Sequence, residues 1–183
     1  EIKYLDKKSL TRVGVYGRKD VANESTEFSF TRFYVPMLAH YNGIVMFCDN
    51  DFVWKCNPNE IKQYLRDKPV AVVKHKLENK MDGVKNKSYP RKCWSSLMIF
   101  DCSKLKQLSK EYLDNASAAD LHQFAWVKDN EIGRIPLKYN HLVGYYKKHK
   151  YIKAIHYTNG GPWFDDYKNS ELAEEWWKVY ESL

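Results

Sequence analysis

The prediction of the fold starts from Ile44-Val45-Met46-Phe47-Cys48-Asp49-Asn50-Asp51, because an apolar run leads there directly into two carboxylates. A short continuous apolar run predicts a central strand covered on both faces, as in a parallel sheet. Open α/β sheets bind their ligands at the carboxyl ends of the strands. Asp49 and Asp51 follow such an end and would repel each other unless a cation lay between them. Their hard oxygen ligands favour Mg²⁺ or Mn²⁺.

The rest of the chain alternates between strand-like and helix-like segments. Further strands are predicted at 70–73, 97–100, 132–137 and 154–157, and helices at 26–38, 58–65, 105–113, 116–127 and 170–180. This alternation predicts an α/β fold with a mostly parallel sheet flanked by helices. The length predicts a single domain, residues 1–183. Segment 78–91 is long and polar, which predicts either a lid or acceptor-pocket loop or a plain surface connection.

Composition excludes several classes of protein. The 6 Trp, 14 Tyr and 8 Phe residues are too many for a disordered chain. No apolar run approaches the roughly 20 residues that span a bilayer, so we expect no transmembrane segment. The net charge of +7 is compatible with an anionic partner, but the lysines are scattered, and we expect no nucleic-acid partner. Four cysteines without C-x-x-C spacing indicate a reducing compartment, and we expect a cytoplasmic protein.

A second group of residues begins where the last predicted strand ends. His156 is followed by Tyr157, Thr158 and Asn159 and then by Gly160-Gly161-Pro162-Trp163. Two glycines allow the backbone to approach a phosphate closely. A histidine in this position is more often structural than a ligand, but a neutral imidazole would complete a metal site of two carboxylates and one histidine.

These motifs together resemble the metal-dependent nucleotide-sugar glycosyltransferases of the GT-A fold, most closely glycosyltransferase family 8, the glycogenin and galactosyltransferase group. Four segments match in order along the chain: the Arg-bearing helix Thr31–Leu38, the D-x-D strand Val45–Val53, the strand Trp94–Phe100 with its small residues, and the terminal motif His156–Trp163. The resemblance implies transfer of a sugar from a nucleotide-sugar donor, a UDP-hexose, to a hydroxyl of a glycan or protein acceptor.

The resemblance also implies a role for each matching residue. Asp49, Asp51 and His156 would hold Mn²⁺ or Mg²⁺. The donor-binding residues would be Arg32, Asp49, Ser95, Ser96, Gly160, Gly161 and Trp163. The residues near the reacting sugar would be Asp120, His122 and Gln123, although an amphipathic helix with polar residues facing water is an alternative for these three.

The sequence departs from the family in two ways. The family's first strand, which cradles the nucleotide base, has no counterpart here, so we expect the chain to lack an N-terminal strand. Gly161 stands where the family commonly has a lysine before Pro-Trp, so a phosphate contact would come from elsewhere. The substitutes are Lys74, Arg91, Lys92 and Lys153.

Two other functions are also compatible with the sequence. One is another metal-dependent nucleotidyl or phosphoryl transferase that uses the same carboxylates, although the sequence contains no P-loop. The other is a non-catalytic, basic nucleic-acid-binding domain, whose binding would fall steeply with salt and would not respond to Mn²⁺.

Overall fold

The computed structural model describes residues 1–19, 29–77 and 90–183. Its strands are β1 (Ile44–Cys48), β2 (Phe52–Trp54), β3 (Val70–Val72), β4 (Leu97–Asp101), β5 (Ile132–Arg134), β6 (His141–Leu142) and β7 (Ala154–His156). Its α-helices are α1 (Lys7–Arg12), α2 (Val35–Leu38), α3 (Lys110–Asn115), α4 (Ala118–His122) and α5 (Ala173–Tyr180). Short 3₁₀ turns include Thr31–Tyr34, Pro58–Tyr64 and Trp94–Ser96. Most of the predicted loop 78–91 and the start of the predicted helix 26–38 lie outside the described residues.

The strands form two small mixed sheets. The first has the order β1-β4-β3-β5 and the second β2-β7-β6. In the first sheet β4 runs antiparallel to both of its neighbours, and only β3 and β5 are parallel. In the second sheet β7 is antiparallel to β2 and parallel to β6. The α/β class is therefore confirmed, but the prediction of a mostly parallel sheet is wrong for the described strands.

The strand that leads to the two carboxylates is an edge strand. β1 pairs with β4 and has no second neighbour among the described strands. Its first residue, Ile44, is half exposed, and the other four residues are of intermediate burial. The prediction of a central strand was therefore wrong. An apolar run indicates that the side chains of a strand are covered, but it does not indicate how many neighbouring strands form hydrogen bonds with it.

The interior strands β3 and β4 are buried on both faces because residues 70–72 and 97–100 are all apolar; only the last residue of β4, Asp101, is polar and partly exposed. Val70, Val72, Met98 and Phe100 point into one core cluster. The intervening residues, which include Ala71, Leu97 and Ile99, point into a second cluster on the opposite face. Alternating side chains of a strand face opposite sides of the sheet, so a continuous apolar run supplies two cores at once. β3 and β4 are therefore fixed between the two core clusters.

The second sheet carries the C-terminal part of the chain. Its core contains Val53 and Ile155 from the strands, and Leu172 with the partly buried Trp176 packs against them. Burial of this apolar face holds α5 on the sheet. None of the helices in ranges 1–19, 29–77 and 90–183 is long and apolar enough to cross a membrane.

Candidate metal centre

Asp49 is held by the sheet and by an arginine. Its backbone N–H donates to the Ser96 carbonyl at 2.9 Å, which extends the β1–β4 pairing by one residue. The Arg32 guanidinium forks onto the carboxylate, with Nη2 at 3.0 Å from Oδ1 and Nη1 at 3.4 Å from Oδ2. Burial raises the pKa of Asp49, and the charge of Arg32 opposes that shift. The arginine therefore favours the charged form of a buried acid.

Asp51 and His156 are brought together by the second sheet. Phe52 pairs with His156 in the β2–β7 register, and the Tyr157 N–H donates to the Asp51 carbonyl at 3.0 Å. The phenyl ring of Phe52 stacks on the imidazole with centroids 4.4 Å apart. As a result His156 Nε2 lies 3.2 Å from Asp51 Oδ1.

A buried hydrogen-bond chain orients this imidazole. Ser96 Oγ donates its one proton to the Cys93 carbonyl at 2.7 Å, so it accepts from Asn140 Nδ2 at 2.8 Å. Asn140 therefore turns Oδ1 toward His156 Nδ1, 3.0 Å away. An amide oxygen only accepts hydrogen bonds, so Nδ1 carries the proton of the neutral ring. The lone pair of Nε2 is then left facing Asp51.

The facing pair needs a positive charge between its members. Asp51 Oδ1 is a buried oxygen without a hydrogen-bond partner in the described structure. Burial raises the pKa of Asp51, but the hydrogen bond and charge of a protonated His156 outweigh burial and lower it. A second proton on the imidazole would satisfy both groups, and so would a divalent cation.

The donor set fits a hard divalent cation. One ligand atom from each of Asp49, Asp51 and His156 lies within 4.8 Å of the others, and no second group of this kind occurs among the described residues. Two carboxylates and an imidazole suit Mn²⁺ or Mg²⁺ better than a soft metal. The structure thus brings together the three predicted ligands, and the orphaned Asp51 oxygen is where a cation would be bound.

Asn140 was not predicted from the sequence, and it contacts His156 through the ring nitrogen that does not face Asp51. It is completely buried and stands just before β6, whose parallel pairing with β7 brings it to His156. Partners that orient a metal-binding histidine in this way are usually needed for full metal affinity. An asparagine just before a two-residue strand is the only local signal, and it does not reveal its partner.

Ser95, a predicted donor-binding residue, and His122, a predicted catalytic residue, lie beside the candidate metal centre. Ser95 contacts Arg32, whose Nη1 donates to the Ser95 carbonyl at 3.1 Å. Ser95 Oγ also lies 3.1 Å from Nδ1 of His122. Burial, together with the charges of Arg32 and Arg18, lowers the pKa of His122 to about 4. His122 is therefore neutral near pH 7, and its predicted role near the sugar stays a prediction.

Asp120 and Gln123 have local structural partners. Asp120 is exposed and closes a capping box with Ser117 at the start of α4. Gln123 follows α4 as its C-cap, and its carbonyl accepts a hydrogen bond from Arg91. These contacts agree with the helix-surface alternative, and a catalytic role for either residue stays a prediction.

The glycine motif is covered by aromatic rings. Gly160 has a φ of +121°, and a Cβ there would lie 2.7 Å from the ring of Tyr167. A Cβ on Gly161 would lie 2.0 Å from the ring of Trp163. Ring packing alone thus requires glycine at both positions. The predicted contacts of Gly160, Gly161 and Trp163 with the donor stay predictions.

Comparisons with known proteins agree with this architecture. No protein-family model matches the sequence. Protein CDI of Arabidopsis thaliana is 40% identical over 188 residues, which cover 96% of this chain and 73% of that protein. The bifunctional glycosyltransferase WbbM matches with a TM-score of 0.55 at 19% identity, over 88% of this chain. The galactosyltransferase LgtC, in complex with donor and acceptor sugar analogues, matches with a TM-score of 0.56 at 11% identity, over 98% of this chain.

The structural matches differ in how much of each relative they include. The chain spans 36% of the length of WbbM and 73% of the length of LgtC. At these identities the likeness establishes the fold. The predicted resemblance to GT-A glycosyltransferases of family 8 is therefore confirmed at the level of the fold.

Proposed function

This chain belongs to the family of Protein CDI, and from that membership and its GT-A fold we propose that it is a metal-dependent glycosyltransferase. Residues 1–183 act as one glycosyltransferase domain. The donor is a nucleotide-sugar, a UDP-hexose, and the acceptor is a hydroxyl of a glycan or protein. Fold alone does not specify chemistry, so the proposal depends on the site.

The observation that carries the proposal is the convergence of Asp49, Asp51 and His156 around a buried oxygen that lacks a partner. Buried charges are costly unless they are paired or bind a metal. If these residues had only a structural role, a complete ion pair would be more stable. Three metal-ligand atoms do not fill the coordination shell of a cation, so they suit a cation that also binds a ligand. A nucleoside diphosphate is such a ligand.

Each residue has a task in this proposal. Arg32 opposes the rise in the pKa of Asp49 that burial causes, and Phe52 and Asn140 hold the ring of His156 with Nε2 free. Mn²⁺ or Mg²⁺, when bound, would neutralise the charge that develops on the departing nucleoside diphosphate. Ser95, Ser96, Gly160, Gly161 and Trp163 would contact the donor, and Asp120, His122 and Gln123 would lie toward the reacting sugar.

We also propose that the protein acts in the cytoplasm. All four cysteines are free thiols, and Cys48, Cys56 and Cys93 are only partly buried. Partly accessible thiols persist unpaired in a reducing compartment.

Calorimetric titration of UDP, UDP-glucose and GDP-mannose, with and without Mn²⁺, tests the proposal. The intact protein should bind one of these nucleotides only with Mn²⁺, and it should slowly release the nucleoside diphosphate from the matching sugar donor. Asp51→Asn keeps the shape of the side chain and removes its charge, so Mn²⁺-dependent affinity should fall by about 100-fold. Asp67→Asn, which removes an exposed carboxylate elsewhere, is the matched control.

Metal-independent binding, or equal affinity in Asp51→Asn and the intact protein, would contradict the proposal. Turnover of a nucleoside triphosphate with release of phosphate or pyrophosphate would instead favour a nucleotidyl or phosphoryl transferase.

A further inference from the structure

A cavity lined by cationic side chains, here called the cationic cavity, lies at the carboxyl ends of β3 and β5. These are the two parallel neighbours of the first sheet, and Val72 pairs with Arg134 at their last residues. The cavity has a volume of about 180 Å³; Lys74, Lys76, Arg134 and Tyr146 line it over an apolar floor of Val73 and Ile135. The carboxyl ends of parallel strands are the usual ligand-binding edge of such sheets.

The charges that line this cavity are unbalanced. Lys74, Lys76 and Arg134 line it together with no carboxylate, and none of the three forms an ion pair within residues 1–19, 29–77 and 90–183. Burial lowers the pKa of Lys74, and the charges of Arg91 and Arg134 lower it further. Asp129 opposes that shift, but its carboxylate already pairs with Arg91 at 2.5 Å. An anion in the cavity would relieve this repulsion.

The remaining polar wall is neutral. The Tyr146 hydroxyl lies 2.9 Å from Nδ1 of His75. Burial, followed by the charge of His156, lowers the pKa of His75 to about 3. Burial raises the pKa of Tyr146 to about 12. Near pH 7 the phenol is therefore protonated and the imidazole uncharged, so the three cations alone determine the sign of the cavity.

A larger cavity elsewhere provides a contrast. It has a volume of about 900 Å³ and lies near Pro69, at the opposite end of β3. Both signs of charge line it, with Asp67 and Glu131 beside Lys104 and Lys128. Its charges compensate one another, so it has no preference for an anion.

The cationic cavity is connected to the candidate metal centre by two segments. The Lys74 ammonium lies 5.6 Å from the ring centre of Trp94, and the turn Trp94–Ser96 supplies the serine that accepts from Asn140. The chain leaving Arg134 reaches Asn140 after six residues, and Asn140 contacts His156. The segments that line the cavity are therefore continuous with the segments that support the metal ligands.

We propose that this cavity binds the anionic group, a phosphate monoester or a carboxylate, of the acceptor that receives the sugar. This inference rests on the proposed function. In the transfer the acceptor oxygen bonds to the anomeric carbon, and the bond from that carbon to the donor's phosphate oxygen breaks. Its electron pair leaves with the nucleoside diphosphate, and the hydroxyl proton passes to solvent. Lys74, Lys76 and Arg134 hold the acceptor's charge and take no part in these bonds.

The test is a titration of the metal-free protein with inorganic phosphate and with acetate in the presence of a chelator, followed by amide NMR shifts. Binding to the intact protein should be saturable and should move the amides of Gly133 and Tyr146. The double variant Lys74→Gln/Arg134→Gln should weaken it by about tenfold or more, because each charged hydrogen bond contributes substantially to binding. The control Lys104→Gln/Lys128→Gln has the same change in net charge and should stay within about twofold.

Absence of saturable binding, or equal weakening in both double variants, would overturn the inference. The donor site is measured separately, as Mn²⁺-dependent UDP binding. If Lys74→Gln/Arg134→Gln loses UDP binding, and UDP with Mn²⁺ displaces phosphate, the cations serve the donor and the acceptor assignment is wrong. If the intact protein binds none of UDP, UDP-glucose and GDP-mannose under any condition, the proposed function fails, and the acceptor assignment fails with it, whether or not phosphate binds. Support requires phosphate binding that Asp51→Asn retains, together with UDP binding that the cationic double variant retains.

Discussion

The hydrogen bond from His156 to Asn140 yields the sharpest prediction about the metal centre. Replacing Asn140 by Ala removes the acceptor of His156 Nδ1–H and the donor to Ser96 Oγ. All three side chains are nearly inaccessible, so no bulk water replaces the amide. The imidazole then gains from moving its proton to Nε2, where Asp51 Oδ1 accepts it at the existing separation of 3.2 Å. A metal ion would have to displace that proton.

Two quantities should change in Asn140→Ala. Two buried polar groups lose a partner, and His156 recovers one in Asp51, so the metal-free protein should lose about 1–3 kcal/mol of unfolding free energy. Loss of an orienting partner typically lowers metal affinity by about 10–100-fold, which is about 1.4–2.7 kcal/mol. The weaker Mn²⁺ binding should therefore appear even in variant protein that is fully folded.

The assay combines electron paramagnetic resonance of free Mn²⁺ with ¹⁵N NMR of the imidazole in metal-free protein at alkaline pH. The intact protein should show a proton on Nδ1 of His156, and Asn140→Ala should show it on Nε2. Asn140→Asp offers a carboxylate that also accepts from Nδ1–H, so it should keep the Nδ1 form. Asn115→Ala removes an exposed amide that donates to the Glu111 carbonyl and should change neither measurement. A folded Asn140→Ala protein with unchanged Mn²⁺ affinity and the proton still on Nδ1 would refute the reasoning.

Three further predictions concern stability and the untested residues. Burial raises the pKa of Asp114, but hydrogen bonds, including one from Tyr34 Oη at 2.6 Å, outweigh burial and lower it. Asp114→Ala should therefore lower the free energy of unfolding by about 2 kcal/mol near pH 7. In an acid denaturation series this difference should disappear as the pH falls from the ordinary pKa of 3.8 through the lowered pKa of the folded protein. Asp120→Ala should cost about 1 kcal/mol in urea unfolding through loss of the capping box, and donor turnover would fall as well only if this exposed side chain also contacts the sugar. Gly161→Ala should lower the melting temperature and alter the Trp163 fluorescence, at a cost of about 1–3 kcal/mol for displacing the ring; an unchanged spectrum would argue against that packing.

Local patterns were sufficient for the parts of the structure that depend on neighbouring residues. The apolar runs at β1, β3 and β4 predicted strands, and the structure confirms all three. The predicted ligands Asp49, Asp51 and His156 do converge, although 105 positions separate the last two. This long separation in sequence did not prevent the prediction, because each motif is short, has its own residue types and could be matched to the family in the same order.

Pairing between distant segments could not be predicted in the same way. The edge position of β1 and the antiparallel placement of β4 depend on which chain lies beside each strand. The predicted helix over 105–113 was displaced, since α3 begins only at Lys110, where Ser109 caps it. A capping serine is a local signal for the start of a helix. The residues before Ser109 form turns instead of helix, and the spacing of apolar residues does not distinguish these two structures.

The α/β class, the strands of the first sheet and the three candidate metal ligands could be predicted from the sequence, because these predictions depend on the order of residue types along short segments. The mixed sheets, the pairing of Arg32 with Asp49 and the contact of Asn140 with His156 became known only from the three-dimensional arrangement. It also shows that Lys74 and Arg134 share one cavity. Parallel strand pairing brings Lys74 to Arg134 and Asn140 to His156, whereas Arg32 reaches Asp49 from a turn outside the sheets. None of these contacts follows from the residues next to each position in the sequence, because packing of the whole core sets them.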